Sequence, residues 1–219
     1  MENKVVLITG GTGSLGQILT KHLLSLNPRK IIIFSRGEEK QVAMRRNFQN
    51  DKLRFFIGDI RDRDRLRHAF HGVDYIFHSA ALKHIDVCEF DSEECVKTNI
   101  DGCRNIVDIA IECKVKKVLG ISTDKAVNPA CFYGACKQVG DRLFVNANIY
   151  SPHKTKFSVI RYGNFIDSSE SIFPFFKRLR DNGERILPIT DFNMTRWFIS
   201  LKEAAERACE ALQKMQGGE

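Results

Sequence analysis

The stretch Val5-Val-Leu-Ile-Thr-Gly-Gly-Thr-Gly-Ser-Leu-Gly16 decides the fold of this chain of 219 residues. A short apolar run leads directly into a loop with glycines at positions 10, 13 and 16, and a helical pattern starts inside that loop. Such a loop lets backbone N–H groups approach a pyrophosphate at the positive end of a helix dipole. A plain strand-to-helix turn is the alternative, but the position at the first strand favours dinucleotide binding. The residues predicted to bind the dinucleotide here are Gly10, Thr12, Gly13, Ser14, Leu15 and Gly16.

Apolar runs bounded by turn residues alternate with helical stretches over the next 150 residues or so, the pattern that distinguishes strands from helices. Strands are predicted at Val5–Thr9, Ile31–Phe34, Arg54–Ile57, Tyr75–His78, Lys117–Ile121 and Phe157–Arg161. Helices are predicted at Leu15–Leu26, Asp62–Phe70, Ser92–Cys113 and Phe132–Asn148. The strands are continuously apolar, which is typical of a parallel sheet covered by helices on both faces. The predicted fold class is therefore α/β with a doubly wound parallel sheet, the NAD(P)-binding Rossmann fold.

The last quarter of the chain departs from this rhythm. We predict a helix at Ile172–Asp181, a short strand at Ile186–Ile189 and a final helix at Leu201–Gln213. Such a tail is too short to fold with confidence on its own. The predicted organisation is a dinucleotide-binding domain at 1–162 and a partial, shortened substrate cap at 163–219 packed on it.

Composition excludes several classes of protein. A content of 43% hydrophobic and 28% charged residues excludes a disordered or collagen-like chain, and no apolar run reaches the ~18 residues of a membrane span. The N-terminal segment does not resemble a signal peptide, so we expect a cytoplasmic protein. The net charge of +7 is dispersed along the chain, which favours a small anionic ligand over nucleic acid.

The seven cysteines do not indicate a disulfide framework or a zinc site, because their number is odd and none lies in a CxxC pair. We expect buried free thiols. His78 and His84 lack a second ligand at a helpful spacing, so His78 is interpreted as a satisfied strand-end residue and no metal site is predicted.

The end of the second strand selects between the two nicotinamide cofactors. An acidic residue there holds a ribose 2′-hydroxyl, whereas a cation accommodates a 2′-phosphate. The chain has Phe34-Ser-Arg-Gly-Glu-Glu-Lys40, which places Ser35, Arg36 and Lys40 in reach and favours NADP over NAD. The alternative is that Arg36 and Lys40 are surface charges, since two glutamates lie between them. The residues predicted at the adenine edge are Asp59 and Ile60.

A tyrosine and a lysine four residues apart follow the fifth strand. Tyr133 and Lys137 project from one face of a helix. A phenol with a pKa of about 10 cannot act as a base near neutrality, so the Lys137 ammonium and an oxidised nicotinamide must lower that pKa. The pair alone is common on helices, but with the glycine loop and Thr123 ten residues upstream it becomes a specific signature.

Over nearly its whole length the chain resembles extended short-chain dehydrogenases/reductases. It is most similar to the UDP-N-acetylglucosamine 4,6-dehydratases of the C5-inverting type, polysaccharide biosynthesis proteins that begin pseudaminic acid biosynthesis. The matching segments are Thr9–Gly16, Arg54–Asp59, Ala80–His84, Lys97–Asn99, Ser122–Ala126, Tyr133–Lys137, Arg161–Asn164 and Met194–Arg196.

The resemblance implies a mechanism. Tyr133 would take the proton from the sugar O4 while hydride passes from C4 to NADP⁺. Lys125 would then remove the acidified C5 proton as general base, and Asp124 would protonate the departing O6 hydroxyl as general acid. Hydride would return to C6, and Thr123 would hydrogen-bond the reacting oxygen. Without the resemblance, the adjacent Asp-Lys pair could equally be a surface ion pair.

The same resemblance implies further contacts and partners. Asn99 would orient Lys137 through its backbone or a water molecule. The remaining residues implied to line the cofactor are Ser79, Lys83, Asn99, Ser122, Tyr133, Lys137 and Phe165. Those implied to contact the substrate are Lys83, Asn164 and Arg196. The implied partners are a UDP-sugar and further copies of the chain in a homo-oligomer.

Two departures from the family pattern leave alternatives open. The chain has Asp167-Ser-Ser-Glu-Ser171 where family members carry a basic loop, and two carboxylates there should repel a diphosphate. Family members also continue through further cap strands. One alternative is a related epimerase or reductase, which shares Tyr133 and Lys137 but has no use for Asp124 and Lys125. The other is a catalytically silent cofactor-binding protein.

Overall fold

The computed structural model describes residues 1–152, 155–166, 168, 171–189 and 191–219, and within them a six-stranded parallel sheet forms the centre of the fold. Its strands are β1 (Val5–Thr9), β2 (Lys30–Ser35), β3 (Leu53–Ile57), β4 (Tyr75–His78), β5 (Lys117–Thr123) and β6 (Lys156–Tyr162). Their spatial order is β3-β2-β1-β4-β5-β6, and each pair is parallel. The order reverses between β1 and β4, where ligands bind in such sheets. The predicted fold class is confirmed.

Helices cover both faces of this sheet. In chain order they are α1 (Ser14–Ser25), α2 (Glu38–Phe48), α3 (Arg63–Phe70), α4 (Ile85–Phe90), α5 (Ser92–Val96), α6 (Gly102–Glu112), α7 (Phe132–Tyr150), α8 (Ile172–Asp181) and α9 (Leu201–Lys214). One apolar cluster joins the sheet to α1 and α9, and a second joins it to α3, α6 and α7. Coverage on both faces explains why the strands are continuously apolar. None of the helices in the described ranges has the length and apolar character that a membrane span requires.

Three local predictions differ from the structure. The helix predicted at Ser92–Cys113 is α5 and α6 joined by a π-helical segment, Lys97–Asp101. The strand predicted at Ile186–Ile189 is wrong: the segment pairs with no described strand, and the two isoleucines are 83% and 55% exposed. Its apolar sequence has no sheet edge to join. Helix α2 was missed because its charged sequence, Glu38-Glu-Lys-Gln-Val-Ala-Met-Arg-Arg-Asn-Phe48, hides the apolar period.

The last helix, α9, packs on the first domain. Ala208 and Leu212 of α9 are buried in the cluster that contains α1 residues such as Leu19. Tyr162, at the end of β6, donates a hydrogen bond from Oη to the carbonyl oxygen of Ala204 at 2.6 Å. Between β6 and α9, the described residues form a pair of short strands, β7 (Asn164–Phe165) and β8 (Phe198–Ile199), and helix α8, in which no residue is buried.

A buried histidine connects the strands at the point where the order reverses. The ring of His78 lies 2.8 Å from Thr9 Oγ1 through Nδ1 and 3.5 Å from Cys103 Sγ through Nε2, and it stacks on Phe144. Burial, reinforced by the charge of Lys137, lowers the pKa of His78 to about 3. The ring is therefore neutral and satisfied at the strand end, as expected.

Acidification should destabilise the fold through this ring. The pKa of His78 is about 3 in the folded chain against an ordinary value of 6.5, so below 6.5 the unfolded chain binds a proton that the folded chain excludes. The free energy of unfolding should fall by about 1.4 kcal/mol per pH unit over this window, or roughly 3 kcal/mol over two units. Denaturant unfolding as a function of pH measures the effect. His78→Asn should have a flatter profile than the wild type.

The control is His71→Asn, which removes an exposed histidine and leaves the core untouched. It should reproduce the wild-type slope. Identical slopes for the wild type and His78→Asn would contradict the assignment.

Candidate functional site

The glycine loop lies at the carboxyl end of β1, beside the point where the strand order reverses. A Cβ atom at Gly16 would come within 2.5 Å of the Gly11 carbonyl oxygen, so only glycine lets the first turn of α1 lie against the loop. The helix is preceded by Gly13, which offers no capping side chain, and its first turn carries no acidic residue. The N–H groups at this helix start are therefore suited to bind an anion. Thr12 and Leu15 are both buried.

A second observation supports a ligand at this edge of the sheet. Ser122, near the end of β5, is 7% exposed, and its hydroxyl oxygen has no hydrogen-bond partner in the described part of the chain. Buried hydroxyls are normally paired, so an unpaired one at a strand end indicates a missing partner. Ser79, at the end of β4, donates from its hydroxyl to the Thr9 carbonyl oxygen at 2.7 Å. Together with the glycine loop, these residues fit a bound dinucleotide.

The residues predicted to select the cofactor meet at the ends of β2 and β3. Arg36 is 58% exposed, and its Nη1 lies 3.8 Å from Asp59 Oδ2. Asp59 is bound more tightly by Arg61, whose Nη2 lies 2.8 Å from the same oxygen. Partial burial alone would raise the pKa of Asp59, but the hydrogen bonds and charge of Arg61 outweigh burial and hold that pKa below its usual value.

Arg61 thus neutralises Asp59 and leaves Arg36 facing outward, a role that the sequence did not signal. Lys40 is exposed on α2, and Ile60 is buried in the core rather than open to an adenine ring.

The acid-base pair forms one hydrogen-bonded cluster. Lys125 Nζ donates to Asp124 Oδ1 at 3.1 Å and to Asn164 Oδ1 at 3.0 Å. Thr123 donates from Oγ1 to the same Asp124 oxygen at 2.9 Å. Asp124 and Lys125 side chains are 29% and 28% exposed, so the pair is half-sheltered rather than a free surface ion pair. The structure brings together four of the predicted site residues, contributed by β5, the turn after it and β7.

Helix α7 brings the tyrosine and lysine to this cluster. A methyl group at Gly134 would overlap the carbonyl oxygen of Lys125, so the helix start contacts the 124–126 turn directly. The Tyr133 side chain lies near the Thr123 hydroxyl, which favours the ionised phenol. Lys137 is buried, and its Nζ donates to the Ile121 carbonyl oxygen at 2.8 Å. The start of α7 thus abuts the turn that carries Asp124 and Lys125.

The electrostatics differ in part from expectation. Burial raises the pKa of Tyr133, and the hydrogen bond with Thr123 opposes that shift only in part. We expected Lys137 to lower this pKa, but its ammonium is held at the Ile121 carbonyl. Burial would also raise the pKa of Asp124, yet hydrogen bonds from Lys125 and Thr123 hold it below its usual value. Asp124 is therefore ionised at neutral pH.

Asn99 lies in the π-helical segment and fixes the loop after β4. Its Oδ1 accepts from the Leu82 N–H and its Nδ2 donates to the Leu82 carbonyl, both at 2.9 Å. The side chain is thus committed to the loop, next to the exposed Lys83. A Cβ at Gly140 of α7 would lie 3.2 Å from the Asn99 carbonyl oxygen, so the backbone of Asn99 faces the helix that carries Lys137.

The remaining predicted residues lie further from the cluster. Phe165 packs on Tyr162, with 5.5 Å between ring centroids, and against the core. Arg196 is exposed and donates to the neighbouring Thr195 carbonyl, so among the described contacts it does not reach the acid-base pair. The departures at Asp167 and Glu170 lie outside the described residues.

Comparisons with known proteins agree with the motifs. A family model described as polysaccharide biosynthesis protein matches residues 6–219. The chain is 49% identical to a UDP-N-acetylglucosamine 4,6-dehydratase (inverting) of Campylobacter jejuni subsp. jejuni serotype O:23/36 (strain 81-176), over 99% of this chain and 65% of that protein. It is 40% identical to a UDP-glucose 4-epimerase of Rickettsia prowazekii (strain Madrid E), over 99% of this chain and 65% of that one.

Among solved structures, the X-ray structure of Pen from Bacillus thuringiensis superposes with a TM-score of 0.96 at 37% identity, covering 99% of this chain and 68% of that chain. The chain spans about 65% of the length of these curated relatives. The matches confirm the resemblance drawn from the motifs. Since the family model covers nearly all of the chain and the motif residues converge at one edge of the sheet, this chain belongs to the polysaccharide biosynthesis protein family.

Proposed function

We propose that the protein is an NADP-dependent sugar-nucleotide 4,6-dehydratase, a lyase that converts UDP-N-acetylglucosamine to a UDP-4-keto-6-deoxy sugar with inversion at C5. The observation that carries this proposal is the position of Lys125 Nζ, between Asp124 Oδ1 and Asn164 Oδ1 and beside the Tyr133 helix. An enzyme that only oxidises and reduces C4 needs the tyrosine and the lysine of α7 but no second acid-base pair. The Campylobacter relative, named as an inverting dehydratase, supports the same substrate.

The chain's own residues divide the proton transfers. When bound, the nicotinamide cofactor supplies the hydride acceptor for C4 and the donor for C6. Tyr133, once ionised, takes the O4 proton, and Lys125, as the neutral amine, takes the C5 proton once the C4 ketone has made it acidic. Asp124 must then deliver a proton to O6.

The lowered pKa of Asp124 means that this proton arrives during the reaction. Two donors contact the receiving oxygen, Oδ1: the Lys125 ammonium and the Thr123 hydroxyl. The Lys125 ammonium therefore passes a proton to Asp124 first, which leaves a neutral amine to take the C5 proton and a carboxylic acid to protonate O6. The same contact holds the Lys125 side chain in place between catalytic cycles.

The preference for NADP rests on the exposed Arg36 at the end of β2. A 2′-phosphate placed there would meet the Arg36 guanidinium, with Lys40 and Ser35 nearby, while Arg61 neutralises the acidic Asp59. In line with the resemblance, we further propose a cytoplasmic homo-oligomer that acts on a UDP-sugar in pseudaminic acid biosynthesis.

Two alternatives keep specific support. The Rickettsia relatives named as UDP-glucose 4-epimerases favour C4 epimerisation. The carboxylates Asp167 and Glu170, at positions where family members carry a basic loop, favour a cofactor-binding protein without turnover. The experiments below separate all three.

Incubation with UDP-N-acetylglucosamine in D₂O, followed by mass spectrometry and NMR, tests the reaction. We expect loss of water without added NADPH and deuterium at C5. Lys125→Met should slow this reaction by about 10²–10⁴-fold, because it removes the general base. Lys202→Met, which replaces an exposed lysine at the start of α9, should leave the rate unchanged.

Recovery of unchanged substrate, with stabilisation by the cofactor, would overturn the dehydratase and favour the silent protein. A C4 epimer without deuterium at C5 would favour the epimerase.

Arg36→Ala tests the cofactor preference. Loss of a charge-assisted contact to a phosphate should raise the Kd of NADP⁺ by roughly 10–100-fold and change that of NAD⁺ little. Isothermal titration calorimetry measures both constants. Arg46→Ala removes an exposed arginine from the far end of α2, the helix that follows the Arg36 loop, and serves as the control. Equal losses for the two cofactors would count against a 2′-phosphate contact.

A further inference from the structure

A buried amide lies behind the cofactor-selecting loop and has no role in the mechanism above. Gln41, in the first turn of α2, is 3% exposed. Its Nε2 lies within hydrogen-bond distance of three oxygens that share its two N–H groups: the Ser35 carbonyl and the Ser35 hydroxyl, both at 3.0 Å, and the Phe56 carbonyl at 3.1 Å. Burying an amide is unfavourable unless it is hydrogen-bonded, so this side chain is held in one position.

The amide closes the loop that carries Arg36. Ser35 ends β2 and Gln41 begins α2, so the Nε2 contacts join the two ends of the intervening segment. The Gln41 backbone N–H also donates to the Gly37 carbonyl at 3.2 Å, and the Gly58 N–H donates to the Ser35 carbonyl at 3.1 Å. The bond to Phe56 ties the same point to β3. The position of Arg36 above Asp59 thus depends on a frame that Gln41 completes.

The amide also decides the direction of the Ser35 hydroxyl. A serine hydroxyl has one hydrogen to donate and two lone pairs that accept. Because Gln41 Nε2 occupies a lone pair of Ser35 Oγ, the hydroxyl hydrogen points away from the amide. A phosphate monoester offers only acceptors at neutral pH and suits such a donor, whereas a ribose 2′-hydroxyl gains less from it.

The charges around this loop favour the same ligand. Arg36 is exposed and only 3.8 Å from Asp59, while Asp59 is already paired with Arg61. Lys40 adds a second cation, and Glu38 and Glu39 stand at the exposed start of α2. A neutralised Asp59 no longer repels a phosphate, so the hydroxyl and the guanidinium can act together.

We propose that Gln41 is a positioning residue for cofactor selection: by holding the Ser35 hydroxyl and the ends of the Arg36 loop, it favours a dinucleotide with a 2′-phosphate over one with a free 2′-hydroxyl. This inference rests on the proposed use of NADP and adds a residue to its recognition.

The test replaces the amide by a side chain of similar length without donors, Gln41→Met. Calorimetry gives the Kd of NADP⁺ and NAD⁺, and of their fragments 2′,5′-ADP and 5′-ADP. The Kd of NADP⁺ and of 2′,5′-ADP should rise about tenfold, the usual size of one hydrogen bond to a charged group, while the other two ligands change by less than about threefold. A structural role alone would weaken all four ligands alike.

Met44→Ala is the matched control. Met44 is buried in the same helix, 1% exposed, and packs in the core away from the loop. Its truncation should lower the melting temperature and leave unchanged the affinity ratio, which is the affinity for NADP⁺ divided by the affinity for NAD⁺. Ser35→Ala should lower the affinity ratio as Gln41→Met does. The ratio should fall little further in the double variant, because the two side chains act through one contact.

Each result supports or overturns the role proposed for Gln41. An unchanged ratio in Gln41→Met overturns this inference and leaves the proposed use of NADP intact. If that variant fails to fold, an unchanged ratio in Ser35→Ala overturns it. An equal fall in Met44→Ala also overturns it, since loosening of α2 would then suffice. Equal affinity of the wild type for the two cofactors overturns both this inference and the proposed NADP preference.

Discussion

The site depends on a backbone contact between the start of α7 and the turn after β5. At Gly134 there is no room for a side chain, because the Lys125 carbonyl oxygen occupies that space. The contact sets the distance between two groups that are separate in sequence: the acid-base pair at the strand end and the tyrosine on the helix. The closeness of Tyr133 to the Thr123 side chain depends on that approach.

The charge states in the cluster follow from one carboxylate oxygen that accepts two hydrogen bonds. The Lys125 ammonium and the Thr123 hydroxyl both donate to Asp124 Oδ1, so the carboxylate is stabilised in its charged form. Tyr133 is pushed the opposite way, because burial disfavours a phenolate. A phenol must lose its proton before it can accept one from a sugar hydroxyl, so burial works against the role proposed for Tyr133.

Much of the fold was predictable from the sequence, for a physical reason. Strands buried on both faces must be continuously apolar, so β1 and β5 stood out, and the glycine loop marked the first strand-to-helix turn. Helix α2 was not predictable from its apolar period, since its sequence is mostly polar. The roles of Gln41 and Arg61 depend on α2 and on the pairing of β2 with β3, which a single sequence does not reveal. The strand predicted at 186–189 is wrong, because a strand needs a neighbouring strand to pair with as well as a suitable sequence.

The π-helical segment between α5 and α6 has a consequence for changes in chain length. Its hydrogen bonds span one residue more than those of an α-helix, so removing a single residue there could restore regular helix geometry at little local cost. Such a deletion would narrow the turn and redirect the side chains inside it by up to about 100°, the angle of one residue in an α-helix. The two hydrogen bonds between the Asn99 side chain and the Leu82 backbone would be lost, and they hold the loop after β4 in place. The irregular turn therefore makes this stretch intolerant of length variation even where its side chains could be exchanged.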